Sequence, residues 1–107
     1  MSSTILVIDD EPQIRKFMRI SLAANGYRVL EADNAAKGIA ETQASHPDLL
    51  ILDLGLPDLD GQEVITVIRQ FSDLPIIILS VRSDETDKVE ALDRGANDYI
   101  VKPFGVA

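Results

Sequence analysis

The chain contains no cysteine, which excludes disulfides and thiolate-bound metals from any account of it. It is also short of bases: 10 Lys and Arg stand against 18 Asp and Glu, for a formal net charge of −8. That excess repels phosphate backbones and anionic headgroups, and argues against this segment binding nucleic acid or a membrane surface. No apolar run is long. Pro75 to Leu79 falls far short of the roughly 20 apolar residues that span a bilayer. Met1-Ser2-Ser3-Thr4 lacks the basic-then-apolar pattern of a secretory signal, so a cytoplasmic location is expected. The lone histidine, His46, precedes Pro47 and lies far in sequence from the polar strand ends described below. A helix-terminus or surface role is expected for it, not catalysis.

What is present is enough for one small domain: 107 residues, 46% hydrophobic and 26% charged, an ordinary soluble composition. Thr4 to Ile8 is a continuous β-branched run, typical of a strand buried on both faces. Pro12 suits the first turn of a helix carrying Ile14, Phe17, Met18 and Leu22, with Gly26 as a left-handed stop. Tyr27 to Ala32 reads as an edge strand. Asn34 can cap a second helix through about Ser45. Asp48 to Leu52 reads as a central strand, and Gly55 to Gly61 as a turn-rich loop in which Asp58 and Asp60 are turn formers. A third helix carries Val64, Ile65, Ile68 and Phe71. Ile76 to Leu79 is a fourth strand ending at Ser80. Ser83 can cap a fourth helix that Gly95 stops, and Tyr99 to Val101 is a fifth strand leading into Lys102. Alternating strands and helices imply a parallel α/β sheet with right-handed crossovers. A helix after the fifth strand is missing, so residues 1–107 are expected to be one domain of a longer protein, cut after strand five.

The strand ends carry the chemistry. Asp9 and Asp10 follow the first strand, Asp53 the third, Ser80 the fourth and Lys102 the fifth. In a doubly wound sheet of order 2-1-3-4-5 these strands are consecutive and the groups converge at the carboxyl edge, where ligands of open α/β sheets bind. Clustered carboxylates suit Mg²⁺, which is commonly held by one or two carboxylates plus a phosphate. Asp53 can act as a nucleophile through an aspartyl phosphate. Lys102 can neutralise a phosphoryl oxygen, the Ser80 hydroxyl can donate to another, and N–H groups of the Leu54–Gly55 turn add donors. Taken alone, each of these residues is more often a turn former, a cap or a solvated charge; their agreement in type and order gives the signal.

In the segments Ile5-Leu6-Val7-Ile8-Asp9-Asp10-Glu11, Leu52 to Gly61, Pro75 to Ser80 and Gly95 to Phe104, the chain resembles the receiver domain of two-component response regulators. The resemblance covers nearly the whole chain, is most like the winged-helix transcription-factor branch, and within it, from Leu52 through Ser83, is similar to the potassium-response type. It implies the flavodoxin-like 2-1-3-4-5 order and Asp53 as acceptor of a phosphoryl group from a sensor histidine kinase. It further implies Mg²⁺ held by Asp10, Asp53 and the Gly55 backbone carbonyl, with Asp9 acting mainly through water. Ser80 is then a switch hydroxyl, Tyr99 its aromatic partner, Lys102 a phosphoryl contact, and the Lys102–Pro103 bond cis. A transcriptional effector domain and a homodimer through the helix-four face follow from the same likeness. The domain itself would be a phospho-acceptor, not an enzyme, although it would assist its own phosphorylation and dephosphorylation.

Two other readings use the same residues. A receiver-like interaction domain independent of phosphorylation usually lacks one of the acids or the lysine, and this chain keeps them all. A Mg²⁺-dependent aspartyl-phosphate phosphohydrolase usually carries an Asp-x-Asp pair after its first strand, whereas here the two acids are adjacent.

Overall fold

The computed structural model describes residues 2–102. Five strands and four helices alternate: β1 (Thr4–Ile8), α1 (Pro12–Ala24), β2 (Arg28–Ala32), α2 (Ala35–Ser45), β3 (Leu49–Leu52), α3 (Gly61–Arg69), β4 (Ile76–Ser80), α4 (Glu85–Arg94) and β5 (Asp98–Val101). The strands form one sheet in the order β2-β1-β3-β4-β5, and every pairing is parallel. The β/α alternation is the one expected from the sequence pattern, and the strand order is the one the family resemblance implies.

Successive side chains of a strand point to opposite faces, and each inner strand is apolar on both. Leu6, Ile8, Leu50, Leu52, Ile76 and Ile78 join Val64, Ile65 and Ile68 of α3, Ala35 of α2 and Ala91 of α4 in the larger core. Ile5, Val7 and Leu79 pack with Met18 of α1 on the other side. There α1 is the only helix among the described residues, and Ile100 remains 41% exposed.

Helix ends follow local chemistry. Pro12 occupies the first turn of α1, and Gly26 just beyond its end has φ +87°, a conformation glycine adopts without steric cost. The Asn34 side chain caps α2 by accepting from the Lys37 N–H at 2.9 Å. His46, just past Ser45, caps the C-terminus of that helix in the left-handed conformation, at φ 47°, so it lies at a helix end as expected. Two details differ from the sequence reading. The N-cap position of α4 is Asp84, not Ser83, and no side chain caps it. Phe71 lies beyond the last residue of α3 and is 42% exposed, because the helix stops before its periodicity returns to the core face.

Candidate functional site

Strand register brings the polar ends together. Ile8 pairs with Leu52, so the next residues, Asp9 and Asp53, stand side by side, and the Asp53 N–H donates to the Ile8 carbonyl at 2.9 Å. Ser80 pairs with Val101, and the Lys102 N–H donates to the Ser80 carbonyl at 2.7 Å. Asp9, Asp53, Ser80 and Lys102 are all buried, while Asp10 is exposed at the rim.

Carboxylate oxygens of Asp9, Asp10 and Asp53 lie within 4.8 Å of one another. Three hard anionic oxygens at that spacing fit a small oxygen-loving cation such as Mg²⁺. Burial pushes the Asp9 carboxyl above the usual carboxylate range. Lys102 and the Glu11 N–H draw it back in part, and the neighbouring Asp53 charge adds to the rise. A cation would relieve the mutual repulsion.

Lys102 is the counter-charge. Its Nζ donates to Asp9 Oδ2 at 2.8 Å and to Glu11 Oε1 at 2.7 Å, and lies 3.7 Å from Asp53 Oδ2. Burial works to lower its pKa, but these acids outweigh it and hold the ammonium above its ordinary value. Glu11 is a site residue the sequence reading quoted without a role. Its N–H donates to Asp9 Oδ1 at 2.9 Å, and its side chain shares the lysine. The Asp9 carbonyl accepts from Arg15 Nη1 at 2.8 Å.

Asp53 Oδ1 accepts from the Gly55 N–H at 3.3 Å, one of the donors expected from the Leu54–Gly55 turn. A Cβ on Gly55 would come no nearer than 4.0 Å to Asp53 Oδ2, so nothing from this position overhangs the carboxylate. Gly61, the first residue of α3, is the opposite case. A Cβ there would sit 2.6 Å from the Asp53 carbonyl oxygen and 2.6 Å from Leu54 Cα. Glycine at 61 therefore lets α3 start directly against the strand end that carries Asp53.

Around Ser80 the structure adds a residue the sequence did not single out. Ser80 Oγ accepts from the Arg82 N–H at 3.2 Å, and the Tyr99 hydroxyl donates to the Arg82 carbonyl at 2.7 Å. Burial raises the pKa of that hydroxyl, so it stays protonated and a donor. The Arg82 guanidinium reaches Asp60 at 3.2 and 3.1 Å and the Leu54 carbonyl at 3.3 Å. It thereby joins the β4–α4 loop to the loop that follows Asp53. No spacing rule could have marked it, since its partners lie 22 and 28 residues away. The Lys102–Pro103 bond falls outside the described residues.

A five-stranded parallel sheet of this order, with three clustered acids, a buried lysine and a buried hydroxyl at its carboxyl edge, defines the class. The chain belongs to the response regulator receiver domain family, which it matches over residues 5–107. Among curated proteins it is 51% identical over 104 residues to the KDP operon transcriptional regulatory protein KdpE of Escherichia coli K12, covering 97% of this chain and 46% of that protein. It is 49% identical over 102 residues to KdpE of Mycobacterium tuberculosis, covering 95% of this chain and 45% of that protein. The chain thus spans a little under half the length of these relatives. Among solved structures, a two-component response regulator from Clostridium difficile superposes with a TM-score of 0.93 at 26% identity, covering 95% of this chain and 84% of that one. The BeF3-activated receiver domain of Klebsiella pneumoniae RstA gives 0.90 at 25% identity, covering 94% and 86%. Among the described residues no helix is long and apolar enough to cross a membrane.

Proposed function

We propose that this receiver domain is switched by phosphorylation of Asp53, and that Lys102, Ser80 and a Mg²⁺ ion at the acid cluster serve that reaction. The supporting observation is the position of Asp53: it stands beside Asp9, with Lys102 Nζ at 3.7 Å and open space above Gly55. An Asp53 oxygen attacks the phosphorus of a phosphohistidine. The new O–P bond forms as the N–P bond breaks, and the imidazole leaves with the electron pair. When bound, Mg²⁺ supplies charge neutralisation for the transferred oxygens, held by Asp10, Asp53 and the Gly55 carbonyl, with Asp9 acting through water. Lys102 leaves Glu11 to contact a phosphoryl oxygen, and the Ser80 hydroxyl donates to another. Water then returns the domain to its resting state by hydrolysing the acyl phosphate, with the same residues in place.

The donor is a sensor histidine kinase, and the output is transcriptional control through an effector domain in a longer, cytoplasmic parent protein. Membership of the receiver family supports the donor, and the resemblance to KdpE, a transcriptional regulatory protein about twice as long, supports the output. Exposed Val89 and Leu92 on α4 support a homodimer through that face. Incubation with Mg²⁺ and acetyl phosphate, followed by intact-mass measurement, tests the acceptor. The wild-type chain is expected to gain one phosphoryl group and Asp53→Ala none; gain by the variant would contradict the assignment.

A further inference from the structure

Gln62 is a polar residue in a buried position. It lies in the first turn of α3 between Gly61 and Val64, and is 3% exposed. Its Nε2 donates to the Asp87 carbonyl, in the first turn of α4, at 2.9 Å. A carbonyl only accepts, so the NH₂ end of the amide must face Asp87 and the orientation is fixed. Oε1 is then turned elsewhere, buried, with no donor among the described residues. An unpaired buried acceptor is costly, and the single neutral hydrogen bond on the other end returns only part of that cost.

The α3–α4 seam holds the two ends of α4 by different residues. Ala91 is the buried residue of that helix. Arg94, at its far end, reaches Thr66 Oγ1 at 2.7 Å, the Gln62 carbonyl at 3.2 Å and Glu63 at 3.2 Å. The first turn of α4 is tied to α3 through Gln62. That turn begins at Glu85, just past Arg82, whose N–H binds Ser80 Oγ and whose carbonyl holds the Tyr99 hydroxyl. Residues 81–84 thus connect Ser80 to the turn that Gln62 grips.

We propose that Gln62 is a positioning residue that sets the balance between two placements of α4. Its Oε1, buried and without a protein donor in this placement, weighs against that placement, and movement of the first turn of α4 gives Oε1 a donor. Such a residue shifts a two-state equilibrium because its free energy differs between the states. The proposal rests on Asp53 as the phospho-acceptor.

Gln62→Met keeps the length of the side chain and removes both polar atoms; Gln62→Leu also removes them, with a shorter and stiffer side chain. Each 107-residue chain is titrated with beryllofluoride, a phosphoryl mimic, at saturating Mg²⁺, and followed by amide resonances of α4. Thermal midpoints are measured without beryllofluoride. Both variants are expected to have midpoints equal to or above wild type, yet to bind beryllofluoride about fivefold more weakly, the factor that roughly 1 kcal/mol represents. A merely structural role moves the midpoint and leaves the affinity alone, so unchanged or tighter binding by the variant that folds overturns the proposal. If wild type binds beryllofluoride and the variants match it, this proposal alone is lost. If wild type binds none, the acceptor assignment goes first and this proposal with it.

Discussion

Lys102 and Asp9 show what a nearly dry ion pair demands of its neighbours. Each is more than nine-tenths buried, and the lysine satisfies its donors on Asp9 and Glu11. Lys102→Met is expected to leave Asp9 buried and unpaired, at a cost of about 3 kcal/mol in urea unfolding at neutral pH. Adding Asp9→Asn to that variant should recover most of the loss. The Lys102 pKa is raised in the folded state, so its contribution is fully present below the ordinary lysine value and fades as pH rises through the higher folded one. Wild type should therefore lose stability above about pH 10.4, whereas Lys102→Met lacks that loss. A double variant as unstable as Lys102→Met would contradict the pairing. At this scale the sequence showed Asp9, Asp53, Ser80 and Lys102 because each ends an unmistakable apolar strand. Glu11, Gln62 and Arg82 were not legible as site or seam residues, since their roles depend on partners that only the folded chain brings near.

The β3–α3 loop and α2 are joined by a bond the sequence did not announce. Asp58, read as a turn former, accepts from the N–H groups of Ala35 and Ala36 at 2.8 and 3.0 Å. It thus satisfies two orphan donors of α2 beside the one Asn34 takes. Those two bonds, Ala35 first, hold the Asp58 carboxyl below the usual carboxylate range. A depressed folded pKa means that the contribution is complete above the unfolded value and is lost as pH falls through the folded one. Wild type should exceed Asp58→Asn in urea midpoint at neutral pH, and the gap should close as pH drops below about 4; a gap independent of pH would contradict the capping role. Strand positions were readable from β-branched runs, whereas the start of α4 was displaced by one residue. Ser83 and Asp84 are both good cap types, and nothing local decides between adjacent candidates.

For the whole molecule, the β/α alternation was visible in the chain. The strand order was carried by family resemblance, since periodicity alone does not say which strands are neighbours. The pairings of β1 with β3, of β3 with β4 and of β4 with β5 turn five separated polar residues into one site. The three clustered acids could hold a metal ion, in a chain of net charge −8. Mg²⁺ should therefore raise the thermal midpoint saturably, by the equivalent of about 2.7 kcal/mol at roughly a hundredfold excess over its Kd. Sodium at matched ionic strength should do far less, and Asp53→Asn should blunt the Mg²⁺ effect. Equal shifts with both salts would show screening without a site.

Everything proposed for the site depends on the phosphoryl group landing on Asp53. Borohydride reduction of the acetyl-phosphate-treated chain converts an aspartyl phosphate to homoserine, and peptide sequencing by mass then locates it. Homoserine is expected at position 53 alone, dependent on Mg²⁺; homoserine at position 9 or 10, or none in a chain that has gained phosphate, would contradict that assignment.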